Sequence, residues 1–186
     1  MASDFNFEDE ERPEGFPWDS DRGEEVPPPN SDDLQEKEVK VMGVYEHPEQ
    51  SGGQPSAFVL LRDAAERSVL ILIGKFEAMS IWLALEGASA DRPLTHDLLN
   101  NVITKMGGSV ERILIDDLWN NTYYAKVTIG YDNKALEIDS RPSDAIALAL
   151  RAKAPIYMAE SVLERAAVQE QDDQSMQDSD DQEQDE

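Results

Sequence analysis

The sequence predicts an α+β domain built on a mostly antiparallel sheet, and three observations carry that reading. Strand-like and helix-like segments each come in runs, in the order βββ–αα–βββ–α–β–α. Turn dipeptides separate consecutive strand-like segments. Apolar patterning fades at both ends of the chain, where acids take over. These place one domain over residues 37–168, between acidic tails over 1–36 and 169–186 that are expected to be disordered.

Residues 38–45 carry apolar side chains on alternate positions, the pattern of a strand. A Gly/Pro-rich loop, containing His47, follows to residue 55. The apolar runs 57–61 and 69–73 are joined by Asp63-Ala64-Ala65-Glu66, a natural hairpin. Consecutive Val, Leu and Ile in the second run predict burial on both of its faces. After Gly74, residues 75–85 read as a helix with Phe76, Met79, Trp82 and Leu83 on one side and Gly87 as its stop. A second helix starts at Thr95 as N-cap, with a stripe of Leu98, Leu99, Val102, Ile103 and Met106, and Gly107-Gly108 closes it.

Strands return over 110–115, 122–131 and 134–138, with Asn120-Asn121 and Asp132-Asn133 as turns because Asn and Asp tolerate left-handed backbone. Residues 142–151 form the third helix. Its centre, from Ala145 to Leu150, is apolar all round, which predicts a buried element. A short edge strand over 155–158 and a closing helix over 161–168 complete the domain.

The charge is unevenly spread. The whole chain carries −24, but residues 1–36 hold 13 acids and 2 bases and residues 166–186 hold 9 acids and no base. No Lys/Arg cluster marks a phosphate-binding stripe. Phe5, Phe7, Phe16 and Trp18 interrupt the N-terminal acidity, a pattern that can dock on a basic groove. There are no cysteines, so disulfides, thiolate metal sites and cysteine nucleophiles are excluded. No signal segment is evident, and the longest apolar run is far too short to span a bilayer, so a cytoplasmic protein without a membrane partner is expected. The apolar third helix and the edge strand leave room for a homo-oligomer.

Asp139-Ser140-Arg141-Pro142-Ser143-Asp144 is the segment with most chemical content. Pro142 fits the first turn of a helix, whose free N–H groups and dipole then point outward beside Arg141. That is a ready anion site flanked by two carboxylates. Ser143 and Asp144 could equally cap the helix while Arg141 pairs with an acid. Arg92-Pro93-Leu94-Thr95-His96-Asp97 repeats the build. Histidine as a residue type suits a proton shuttle at physiological pH, and Asp97 could orient His96 in that role. Glu77 is either a favourable first-turn acid or a functional carboxylate. Together Glu77, Asp97, Asp139 and Asp144 could supply oxygen ligands to Mg²⁺ or Mn²⁺, although their spacing does not demand a metal.

With Gly74-Lys75-Phe76-Glu77-Ala78, Tyr124-Ala125, and the continuation through Arg151 to Ala154-Pro155-Ile156-Tyr157, these two Arg-Pro motifs resemble the bifunctional nuclease domain family. The resemblance covers about residues 37–168. It implies a nuclease, hydrolysing the phosphodiester bonds of DNA, RNA or both. Under it, His96 with Asp97 would move the proton, and Arg141 at its helix start would hold the scissile phosphate. Asp139, Asp144 and Glu77 would bind a metal or the attacking water, and Arg92, Ser143 and Arg151 would contact substrate. The alternative is a non-catalytic module that binds a small anionic ligand or a protein partner.

The acidity also matches adaptation to high salt, since molar salt shortens the screening length to about 3 Å and relieves self-repulsion. That reading predicts a melting temperature that climbs steeply from low salt to molar KCl. A flat salt response in a thermal melt would refute it.

Overall fold

The computed structural model describes residues 35–47, 56–88 and 90–168. The expected tails (apart from Gln35 and Glu36), loop residues 48–55 and the His47 side chain lie outside the described part of the structure. The elements in chain order are β1 (Glu36–His47), β2 (Ser56–Asp63), β3 (Ser68–Gly74), α1 (Lys75–Leu85), α2 (Thr95–Lys105), β4 (Ser109–Trp119), β5 (Thr122–Tyr131), β6 (Lys134–Ser140), α3 (Pro142–Ala152), β7 (Ile156–Ala159), α4 (Glu160–Ala166) and β8 (Ala167–Val168). The α+β class and the expected order are borne out. The expected closing helix is corrected at its end, because Ala167 and Val168 leave it to pair with Val69 and Ser68 of β3.

Among the described residues the eight strands form one sheet, ordered β6-β5-β4-β7-β1-β2-β3-β8. Every neighbouring pair is antiparallel except β4 with β7. β7 is therefore not the edge strand expected from its length. It lies between β4 and β1, with Ile156 and Met158 buried, because its short apolar run is saturated by partners on both sides. The true edge beside the third helix is β6, whose far side has no partner among the described residues.

One sheet face carries the core. Val59, Leu61, Val69, Ile71, Ile113, Ile115, Ala125 and Val127 point into it, with α3 packed over β4 and β5 and α1 over β1, β2 and β3. Residues Ala145 to Ala149 of α3 are all buried, as an all-round apolar helix requires. The other apolar expectations fail in an informative way. β3 is buried on one face only, since Leu70 and Leu72 point out on the other. In α1 the core side is Ala78 and Ile81, while Phe76, Met79 and Trp82 face solvent. α2 keeps its stripe but buries no residue fully. A periodic pattern shows which residues share a side, not which side the rest of the chain covers.

The β2–β3 hairpin is fixed by one carboxylate. Asp63 accepts from the backbone N–H of Ala65 and of Arg67, both at 2.9 Å, and from Arg67 Nε at 2.8 Å. Arg67 then reaches Glu160 at the start of α4 through two bonds, of 2.7 and 3.0 Å. Burial pushes the Asp63 carboxyl up, but the Arg67 N–H and guanidinium outweigh it and hold the group below the usual carboxylate range. The Arg67 guanidinium also lowers Glu160. Groups depressed by folding stabilise the native state above their unfolded values near 4 and lose that stabilisation as pH falls through the folded values. Asp63→Ala should therefore cost about 2 kcal/mol at neutral pH in denaturant unfolding. It should also flatten the wild-type loss of stability below about pH 4. An acid limb of unchanged steepness would remove Asp63 from the account.

Candidate functional site

The site grows from the β6–α3 junction. β6 ends at Ser140, and Arg141, in extended backbone, is the N-cap of α3 with Pro142 next. The Arg141 carbonyl accepts from the N–H of Asp144 and of Ala145, at 3.1 and 3.0 Å. Pro142 has no N–H, so the Ser143 N–H is the open donor of this helix start. Ser143 is buried and lines a cavity of about 380 Å³. The other walls are β3 from Leu70 to Gly74, the turn and first residues of β5 from Asn121 to Tyr123, and Glu77 of α1. Tyr123 Oη closes one side by donating to the Leu70 carbonyl at 3.5 Å, the outer limit of a hydrogen bond. The Glu77 carboxylate folds back over Gly74 into the space a Cβ would fill, so a side chain at that position would displace this carboxylate.

Arg141 stands at this cavity, its side chain 67% exposed. It is gripped by Asp144 through Nε at 2.8 Å and Nη2 at 3.1 Å, and reaches Glu77 through Nη1 at 3.2 Å. The Asp144 bonds, then the Glu77 charge, hold the guanidinium above its ordinary value. Asp144 also faces His96 on α2, with Oδ1 and Nε2 3.3 Å apart, and His96 Nδ1 lies 2.9 Å from Ser80 Oγ on α1. An ionised Asp144 can only accept, so Nε2 carries a hydrogen and the neutral ring takes the Ser80 hydroxyl hydrogen on Nδ1. Ser80, His96, Asp144, Arg141 and Glu77 thus form one hydrogen-bonded chain across three helices.

The structure gives several expected residues other positions. Asp97 does not orient His96, and Asp144 does. Asp97 instead accepts from the Leu94 N–H at 2.9 Å and from Arg151 Nε at 2.6 Å. The N-cap of α2 is accordingly Leu94 and not Thr95. Burial pushes Asp97 up, but the Leu94 N–H and the Arg151 guanidinium more than offset it and hold it low. Arg151 is 8% exposed and also donates to the carbonyls of Ser80 and Ala147, so it is a staple between helices and not a substrate contact. Arg92 is exposed, forms no hydrogen bond or ion pair among the described residues, and does not line the cavity. Asp139 is exposed on β6 opposite Lys126 and also lies off the cavity wall.

A shared Mg²⁺ or Mn²⁺ does not fit these carboxylates. Arg141 occupies the position between Glu77 and Asp144, Asp97 is turned to Arg151, and Asp139 is elsewhere. Among the described residues no group of three or more His, Asp or Glu side chains gathers as metal ligands would. Ser80 is the member of the chain that sequence reasoning missed. It lies one helical turn after Glu77, on the same side of α1, and that spacing was the available signal.

A family model described as the bifunctional nuclease domain matches residues 59–171, as the motif resemblance implied. An uncharacterized protein of Mycobacterium tuberculosis (strain ATCC 25618 / H37Rv) is 39% identical over 132 residues, 70% of this chain and 76% of that protein. Bifunctional nuclease 2 of Oryza sativa subsp. japonica is 27% identical over 116 residues, 61% of this chain and 36% of its own length. Bifunctional nuclease 1 of Arabidopsis thaliana is 24% identical over 107 residues, 56% of this chain and 33% of its own. No helix among the described residues is long and apolar enough to cross a membrane.

The Arg151 staple is the part of this geometry most exposed to test. Arg151→Ala strands the Asp97 carboxylate and two helix carbonyls, and should cost about 2 kcal/mol in denaturant unfolding. Arg151→Lys should recover little of it, because a single ammonium cannot serve three acceptors in a fixed fork. A loss in Arg151→Ala below about 0.5 kcal/mol, the size of an ordinary surface change, would sink the staple.

Proposed function

The chain belongs to the bifunctional nuclease domain family, and from that premise we propose that it hydrolyses phosphodiester bonds of DNA or RNA at the start of α3. The observation that supports this most is that one carboxylate links an anion-binding element to a histidine. Arg141, beside the Ser143 N–H, stands at the cavity, and the carboxylate that holds Arg141 is the one hydrogen-bonded to His96.

A substrate phosphate entering the cavity meets the Arg141 guanidinium and the Ser143 N–H and replaces Glu77 on the outer guanidinium nitrogen. Asp144 accepts a proton from the attacking water, whose oxygen forms the new bond to phosphorus. The bond to the leaving oxygen breaks, and that oxygen takes a proton from solvent. His96 holds Asp144 in place through its Nε2–H, and the accepted proton leaves Asp144 directly to solvent. Neither Asp139 nor Arg92 has a step in this scheme.

The cytoplasm remains the expected compartment, and the high acidity is read as salt adaptation. Phosphate recognition by a domain without a basic stripe then relies on short-range contact with one guanidinium and not on long-range steering. The rival reading, a module that binds a small anion or a protein without turnover, draws on the same feature. Two carboxylates already neutralise Arg141.

The test is cleavage of single- and double-stranded DNA and RNA by purified protein, at low and molar KCl, in EDTA and in Mg²⁺ or Mn²⁺. Arg141→Ala and His96→Ala should each lose on the order of 100-fold or more in rate while the far-ultraviolet dichroism is unchanged. Cleavage that persists in both variants would belong to a contaminant. No cleavage under any condition, with a melting temperature raised by nucleotide or phosphate, would establish the binding module in its place.

A further inference from the structure

We propose that two copies of this chain associate through the flank formed by β6 and α2, joining their sheets edge to edge across a twofold axis. Neither the family nor the nuclease reading enters this argument.

β6 is paired to β5 on one side and open on the other among the described residues. An open edge with apolar side chains recruits a further strand unless charge, proline or a bulge blunts it. β6 has no proline and pairs with β5 residue for residue, and between its charged residues Lys134, Glu137 and Asp139 it exposes Leu136 and Ile138 at 46% and 48%. These two side chains lie opposite Ile129 and Val127 of β5, so they point to the helical side of the sheet. Nothing among the described residues covers them.

The second observation is α2. It is amphipathic, yet Leu98, Leu99, Val102 and Met106 all face outward. An apolar helix stripe normally faces a core. The end of α2 adjoins the β6 flank. A Cβ at Gly107 would lie 4.0 Å from the ring of Tyr131, and one at Gly108 would lie 3.3 Å from both Ile103 and Ile129. Tyr131, itself half exposed, pairs with Lys134 at the start of β6. Helix stripe, Tyr131 and edge strand therefore occupy one side of the domain.

Area and charge choose a second copy as the occupant. The stripe, Tyr131, Leu136 and Ile138 together expose on the order of 700 Å² of apolar surface, near the roughly 800 Å² that each partner of a standard interface contributes. Interface centres are depleted of charge and enriched in aromatics and Met. In a chain of net charge −24 the flank fits that description. Glu137 and Asp139 fall on the opposite sheet face from Leu136, and Asp97 is turned to Arg151. Two such acidic molecules meet most favourably where acids are fewest, and an open strand is complementary to itself when inverted about a twofold. Charge also sets the register. With Leu136 facing its own copy, Glu137 meets Ala135 and Lys134 meets Ile138. A shift that centres the pair on Glu137 would oppose two carboxylates.

Sedimentation equilibrium of the full chain, at low and molar KCl, should show a dimer at micromolar concentration. Leu136→Glu and Val102→Glu should each weaken it at least tenfold without changing the dichroism spectrum, since both side chains are already exposed. The chain has no cysteine, so single introduced thiols report proximity cleanly. Leu136→Cys should form a disulfide-linked dimer under mild oxidation, while Leu72→Cys, 66% exposed on β3, should not. A monomer throughout the concentration range overturns the proposal, whether a tail or another protein covers the flank. So does a dimer that both glutamate variants leave intact, or cross-linking that is equal at Leu72 and Leu136.

Discussion

Burial of α3 is the constraint on which the rest of the structure depends. A helix whose centre is apolar on every side cannot sit on a sheet with one face in water, so it has to be enclosed. The sheet encloses it from below, and α1 and α2 pack against it from the sides. Both ends of α3 then become fixed points. Its start presents Arg141 and Ser143 to the cavity, and its last turn holds Arg151 beneath α1 and α2. The distance between the Arg141 end and the Arg151 staple is set by the length of one helix. His96 is placed by the staple, through Asp97, and by Asp144 at the other end.

Charge follows from the same enclosure. The chain is rich in carboxylates, and in the folded domain the functional cations are already held by them. Arg67 bridges Asp63 and Glu160, Arg141 bridges Asp144 and Glu77, and Arg151 holds Asp97. Buried or half-buried pairs of this kind contribute geometry more than net stability, because desolvation opposes the attraction. They fix hairpins and helix starts in an acidic molecule where unpaired acids would repel one another. Under the proposed function, a phosphate at Arg141 would have to compete with Glu77, which would favour a ligand with more than one strongly held oxygen.

The surface left over is as informative as the core. The flank of α2 and β6 keeps apolar side chains that the domain does not bury. β6 is at the edge because it is the outer strand of the β4–β5–β6 meander, whose inner side is taken by β7.

The sequence by itself determined the class, the element order and most boundaries, because these depend on local periodicity and on turn chemistry at Asp63, Asn120-Asn121 and Asp132-Asn133. It also determined that the segments around Arg141 and His96 would be helix starts with acids beside them, since Pro142 and Pro93 leave few other choices. The tertiary structure alone decided the partners. Nothing local tells Asp97 to choose Arg151, 54 residues away, over its neighbour His96, or brings Ser80 to that ring. Nor does local pattern say which side of α1, α2 or β3 will be covered, because a stripe looks the same whether it faces its own core or another molecule. Periodicity is a property of neighbours along the chain. Pairing, burial and the order of strands are settled by segments far apart in sequence competing for the same space.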